Sequence, residues 1–151
     1  MNMKAGISLI VLFVTGISVL AFNKSTNQAA KEPWTNSQLL NPADLAATLN
    51  NPKAPKPYLF CIGPQTVIKG SIDIGPTVDK ENLEKLREQL KKLPENADIV
   101  IYCGCCPFSR CPNIRPAFEL LNSMHFKNQK LLNLSHNIKV DWIDHGYPVV
   151  E

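Results

Sequence analysis

A chain of 151 residues with 44% hydrophobic composition is long enough to bury one hydrophobic core and too short for two comfortable domains. Sixteen basic residues stand against 13 acidic ones, a net charge of +3, and no basic stripe interleaves with aromatic side chains. This argues against a nucleic-acid partner. The sequence also lacks a phosphate-cradling glycine loop, a paired-carboxylate pattern and a Ser-His-Asp pattern.

Met1 to Phe22 opens with one positive charge at Lys4 and continues as an apolar run from Ala5, interrupted only by Gly6, Ser8, Thr15, Gly16 and Ser18. It reads as a secretory signal, with Val19-Leu20-Ala21 offering the small residue a signal peptidase requires. The run is also near the lower length limit of a membrane-spanning helix, so an uncleaved anchor is the alternative. Either way the rest of the chain is expected to be exported, periplasmic or extracellular, and to meet a membrane only through this segment. Residues 23–37 are polar and read as a linker, with Trp34 near its end as a lid over the core. The domain is expected over residues 38–151.

Within that domain, Asn41-Pro42 marks the start of a helix from Pro42 to Leu49, with Asn41 as N-cap and Leu45 and Leu49 on one face. Tyr58 to Ile62 is a short continuous apolar run, the pattern of a strand buried on both faces. A loop and a short strand follow between Ile68 and Pro76. Asp79 to Lys92 is the clearest helix, with Leu83, Leu86, Leu90 and Leu93 at three- and four-residue steps opposite a solvated charged face. Asp79 is placed to cap it. Ile99 to Tyr102 reads as a second buried strand, Arg115 to Phe126 as a helix carrying Phe118, Leu121 and Met124, and Lys130 to Leu134 as a last strand. Asp141-Trp142-Ile143 and Gly146 to Val150 close the chain. Strands alternating with helices predict an α/β fold, a mainly parallel sheet flanked by helices on both faces.

Four of the five cysteines, Cys103, Cys105, Cys106 and Cys111, lie within nine positions of one another directly after the second buried strand. An odd count leaves at least one thiol unpaired within a monomer. Cys103 falls in the crevice at the carboxyl end of a parallel strand, where α/β proteins bind ligands. Loop N–H groups and the helix start at Ile114 to Ala117 favour a thiolate there, and Arg110 and Arg115 add positive charge for an anionic sulfur species. Several roles stay open on the residues alone: a nucleophilic thiol, a dithiol redox pair with Cys-x-x-Cys spacing at Cys103 and Cys106, thiolates holding a soft metal such as Cu(I) or Zn(II), and a Cys106–Cys111 disulfide that staples the loop. The spacing is denser than in paired zinc modules, so no metal is assigned, and no cofactor is expected. Cys61, between Phe60 and Ile62, reads as core first, although its strand end points toward the same crevice. His136 is a candidate to face that crevice, while His125 and His145 read as surface positions.

Four stretches in this order resemble the rhodanese-like (sulfurtransferase) domain over about residues 38–151. Tyr58 to Gly63 is similar to its early core strand, and Ile68-Lys69-Gly70-Ser71-Ile72 to the stretch usually written His-Ile-Pro-Gly-Ala. Ile99 to Cys103 is similar to the strand that delivers the catalytic cysteine, and Trp142 to Val150 to the closing Trp-…-Gly-Tyr-Pro-Val pattern. The resemblance implies that Cys103 accepts a sulfane sulfur from a small sulfur-containing substrate and passes it as a persulfide to a thiol acceptor. Cys105, Cys106 and Cys111 are then supporting or alternative thiols. Two departures stand out: Cys61 and Gly63 occupy places where the family commonly has Asp and Arg, and the loop from Cys103 to Arg115 is much longer than usual. The expected function is an exported sulfurtransferase or persulfide carrier. A thiol-redox or soft-metal-binding module without sulfur turnover is the alternative.

Overall fold

The apolar runs expected as buried strands form the centre of a five-stranded sheet. In the computed structural model, which describes residues 31–151, the strands are β1 (Leu39–Leu40), β2 (Tyr58–Cys61), β3 (Ile72–Asp73), β4 (Asp98–Tyr102) and β5 (Asn128–Leu132). Their order is β1-β5-β4-β2-β3 and every pairing is parallel. Helices α1 (Pro42–Asn50), α2 (Lys80–Leu90) and α3 (Ile114–Ser123) are interleaved with the strands. The expected signal or anchor, Met1 to Phe22, lies outside the described residues, and so does the first part of the expected linker. Among the described residues no helix is long and apolar enough to cross a membrane.

Strand side chains alternate between the two faces of a sheet, and here both faces are covered. Phe60, Ile99, Ile101 and Cys103 pack in one cluster with Leu86 and Leu90 of α2 and with Ala117, Phe118 and Leu121 of α3. Leu59, Cys61, Val100 and Tyr102 pack in another with Leu45 and Ala46 of α1 and with Trp142. This explains why β4 reads as an unbroken apolar run rather than an alternating one. Each large side chain buried this completely contributes roughly 1.5–3 kcal/mol of transfer free energy.

Helix starts follow local chemistry to different degrees. At α1 the Asn41 side-chain oxygen accepts the Ala43 N–H at 2.9 Å and Pro42 holds the first helical position. At α2 the Asp79 side chain makes no cap hydrogen bond, contrary to expectation. Its backbone carbonyl accepts the Leu83 N–H at 3.0 Å instead.

Three differences from the sequence reading have physical causes. Leu39-Leu40, just ahead of the Asn41-Pro42 helix start and without a strand signal of its own, pairs with Leu131-Leu132 as an edge strand; two residues are too few to show a period. The last strand starts at Asn128, two residues earlier than expected, and its Gln129 is buried, with its amide nitrogen donating to Asn122 Oδ1 at 2.9 Å. A polar residue inside a strand defeats an apolar-run search. The linker expected up to residue 37 is, from Lys31 onward, part of the folded unit. Trp34 is only 8% exposed and meets Phe108 and Phe118 edge-on, and Asn122 Nδ2 donates to the Pro33 carbonyl at 2.8 Å. The expected lid is in place, but one aromatic anchor gives no periodic trace.

The segments around Ile68 and Val149 meet on the α1 side of the sheet. Ile68 and Val149 form an antiparallel bridge, Lys69 N–H donates to the Pro148 carbonyl at 3.2 Å, and Val150 N–H to the Val67 carbonyl at 2.9 Å. Trp142, in a single π-helical turn over Lys139–Ile143, is fully buried and donates from its indole N–H to the Pro148 carbonyl at 2.9 Å.

Candidate functional site: a thiol cluster at the end of the central strand

β4, the middle strand of the sheet, ends at Tyr102 and hands the chain to Cys103 and then to a loop running to α3. The loop is pinned rather than free. Phe108 N–H donates to the Leu134 carbonyl and Ile138 N–H to the Gly104 carbonyl, each at 2.9 Å. A Cβ at Gly104 would stand 2.8 Å from Ile138 Cβ, so only glycine lets the loop approach this closely. A Cβ at Gly63 would stand 2.7 Å from Cys103 Sγ. The arginine expected at that position by resemblance is thus sterically incompatible with where this cysteine sits.

Three sulfurs converge. The Sγ atoms of Cys103, Cys105 and Cys111 all lie within 4.8 Å of one another. Cys103 Sγ is 3.3 Å from Cys105 Sγ, which is in turn 3.3 Å from Cys106 Sγ. All five cysteines are free thiols. Cys103 and Cys111 are buried and Cys105 is exposed, so Cys105 is the face the triad turns to solvent.

Asn113, just before α3, completes the site. Its side-chain oxygen accepts the Val78 N–H at 3.1 Å, which turns its amide nitrogen toward Cys103 Sγ at 3.5 Å. The Thr77 hydroxyl donates to the Asn113 carbonyl at 2.6 Å. Asn113 is only 4% exposed, so its orientation is set by these partners and not by water.

These donors decide which sulfur carries the charge. The Cys103 thiol is lowered to about 5, first by the hydrogen bond from Cys111 and then by the Cys105 backbone N–H, the Asn113 amide and the Cys105 thiol, against the opposing effect of burial. Cys105, exposed at its outer edge but partly desolvated by the loop, is pushed up to about 12 by that desolvation and by its neighbours Cys103 and Cys106. Cys111 is pushed up as well, first by its hydrogen bond to Cys103 and then by burial. At neutral pH the triad therefore holds one thiolate, on Cys103, and two protonated donors. A thiolate of this kind is both a nucleophile and a good leaving group.

The cleft beside the exposed edge is small, about 30 Å³, and is lined by Pro64, Gln65, Gly104, Cys105 and Ile138. It has room for a group of about one or two heavy atoms. A much larger hollow, about 690 Å³, lies at the opposite ends of the strands, against Asp98, Ile99 and Asn128, and does not touch the thiols.

The other expected residues fall elsewhere. Arg115 pairs with Glu32 at 2.6 Å and lies over the Trp34 ring, 5.5 Å from its centre. Arg110 is exposed in a short 3-10 turn over Phe108–Arg110. Neither guanidinium is among the leading causes of the Cys103 shift. Cys61 is completely buried in the cluster on the other face of the sheet from Cys103, and its thiol donates to the Gln65 carbonyl at 3.1 Å. Burial pushes that thiol up, in keeping with a core residue. His136 is exposed and bonds Asp141 Oδ1 at 2.9 Å through Nδ1, and His125 and His145 are exposed too. Asn113 and Gly63 are the site residues that sequence reasoning missed or misread. A glycine where the resembling family has a large side chain was the available clue to Gly63, whereas nothing local marks Asn113.

No protein-family model matches this sequence, and neither a curated protein nor a solved structure is significantly similar to it. The chain is an α/β domain with an all-parallel five-stranded sheet and a cysteine-rich loop over Cys103–Cys111.

Proposed function

We propose that this protein is an exported, rhodanese-type sulfurtransferase or persulfide carrier in which Cys103 is the sulfur-bearing residue. The observation that carries the reading is Cys103 at the carboxyl end of the central strand, its sulfur held by the Asn113 amide and by two neighbouring thiols. The meeting of the Ile68 and Val149 segments adds support, because these are two of the stretches on which the resemblance rests. The apolar run from Ala5 to Phe22 supports export.

The chemistry proceeds in two exchanges. The Cys103 thiolate attacks the sulfane sulfur of a thiosulfate-like donor, an S–S bond forms, and sulfite leaves with the electron pair of the broken bond. An acceptor thiolate then attacks the outer sulfur of the persulfide, and Cys103 departs as the thiolate it was. No net oxidant or reductant is consumed. The Asn113 amide and the Cys105 backbone N–H are in place to stabilise the negative sulfur at both ends of the cycle.

Reduced full-length protein incubated with thiosulfate and a thiol acceptor tests this reading. The expected result is a mass gain of one sulfur on the peptide carrying Cys103, abolished in Cys103→Ser, with turnover when acceptor is present. Neither mass gain nor turnover overturns it.

A further inference from the structure

We propose that the reduced loop is also a metal site: Cys103, Cys105 and Cys111 form a three-thiolate cradle for a soft monovalent cation, Cu(I). The inference rests on sulfur geometry and does not depend on sulfur transfer. At the metal–thiolate distance typical of zinc, about 2.3 Å, three sulfurs around a planar three-coordinate ion stand about 4.0 Å apart. The three Sγ atoms of the triad, all within 4.8 Å of one another and with Cys103 and Cys105 at 3.3 Å, need only small side-chain adjustments to reach that spacing.

The donor set selects the ion. Cys106 Sγ meets Cys105 Sγ and the Cys111 thiol but does not lie within 4.8 Å of all three sulfurs, Cys61 lies on the other face of the sheet, and among the described residues no histidine or carboxylate joins the group. Structural zinc sites, all-thiolate ones included, are four-coordinate, so it is the number of sulfurs, three and not four, that favours low-coordinate soft Cu(I) here. The cradle is preorganised from three points of the backbone. Cys103 is fixed at the end of β4, Cys105 follows Gly104, whose carbonyl is bonded by Ile138, and Cys111 N–H is bonded to the Phe108 carbonyl at 3.3 Å. Exposed Cys105 provides the way in, and buried Cys103 and Cys111 shield the ion from water. Binding displaces the remaining thiol protons to solvent and involves no redox step when the metal is supplied as Cu(I).

The test is an anaerobic titration of the reduced full chain with Cu(I) in competition with a colorimetric Cu(I) chelator, followed by X-ray absorption on the loaded protein. We expect one Cu(I) per chain with three sulfur neighbours. Cys105→Ser, an exposed change that leaves the core intact, should weaken binding by on the order of 100-fold, at or beyond the loss seen when outer-shell partners of a metal are removed. Cys106→Ser should leave stoichiometry and affinity unchanged. The site is overturned if the chelator strips all the copper, if absorption shows two sulfurs, if Cys106→Ser is as damaging as Cys105→Ser, or if Zn(II) binds more tightly in a parallel titration. Sulfur uptake by metal-free protein is scored separately, so failure of either proposal is read without the other.

Discussion

The side-chain amide of Asn113 points at Cys103 Sγ from 3.5 Å because its oxygen is already committed to the Val78 N–H. Residues from the segment before α2, from just after β4 and from the residue before α3 are thus joined through one side chain, that of Asn113. This makes Asn113 a positioning residue for the sulfur chemistry proposed above. Asn113→Asp keeps an acceptor for Val78 but replaces the donor facing Cys103 with a negative oxygen. The Cys103 pKa should rise by on the order of 1 unit, about 1.4 kcal/mol. Alkylation of Cys103 at pH 6 should fall accordingly. A pH profile of labelling identical to that of the unaltered protein would show that Asn113 serves only the fold.

Protonation of the triad also ties stability to pH in the reduced, metal-free protein. The Cys103 thiol is lowered from an ordinary value of 9.0 to about 5, so the folded state gives up its proton more readily than the unfolded chain. Its contribution to stability is complete above 9 and is lost as pH falls toward 5. Cys105 and Cys111 are raised and work in the opposite sense, their contribution being present below 9 and lost as pH climbs above it. Melting temperature should therefore rise from pH 5 to about 9 and turn over beyond it. Cys103→Ser should flatten the acidic limb, and an unchanged limb in that variant would place its cause elsewhere in the protein.

Gly63→Ala tests the steric basis of the site. A new Cβ would meet Cys103 Sγ at 2.7 Å and the Cys103 backbone at 3.4 Å. A short buried side chain has little room to retreat, so the change should cost about 1–3 kcal/mol, as overpacking does. It should also move the sulfur away from Asn113. Thermal melting and the rate of Cys103 alkylation at pH 6 should fall together; a variant with normal values for both would show that the loop relaxes freely.

The residues that were legible from sequence are those whose information is local. β2 and β4 are apolar runs because both faces are buried, α2 shows its leucines at helical steps, and Asn41-Pro42 announces α1. Cys103 was placed by the strand that precedes it. What escaped is carried by contacts distant in sequence. Asn113 meets Val78 from 35 residues away, Trp34 is held by Phe108 and Phe118, and β1 gains its identity only by lying beside β5. Gly63 could be seen only as a missing arginine, since its actual role is to leave space for an atom 40 residues on. Arg115, whose charge reads from sequence as a place for an anion, is engaged by Glu32 and the Trp34 ring, two partners that lie far from it in sequence.

Tyr102 separates effects on the fold from effects on the thiol cluster. It immediately precedes Cys103 but packs on the opposite face of the sheet. Its hydroxyl accepts the N–H groups of Val67 and Ile68, each at 3.2 Å, and donates to Ser71 Oγ at 3.1 Å. Burial pushes its pKa up to about 12, so it remains a neutral phenol over the whole range in which Cys103 titrates. Tyr102→Phe leaves the ring in place and removes the acceptor for both N–H groups, at a cost of roughly 1–3 kcal/mol for buried donors left unpaired. The variant should melt several degrees lower and show looser hydrogen exchange at Val67 and Ile68. Its Cys103 alkylation profile against pH should match that of the unaltered protein, because none of the donors that hold the thiolate is touched. A shifted profile would mean that the two faces of the sheet are coupled through β4, and that the orientation of Cys103 depends on where the segment leading into β3 is tied.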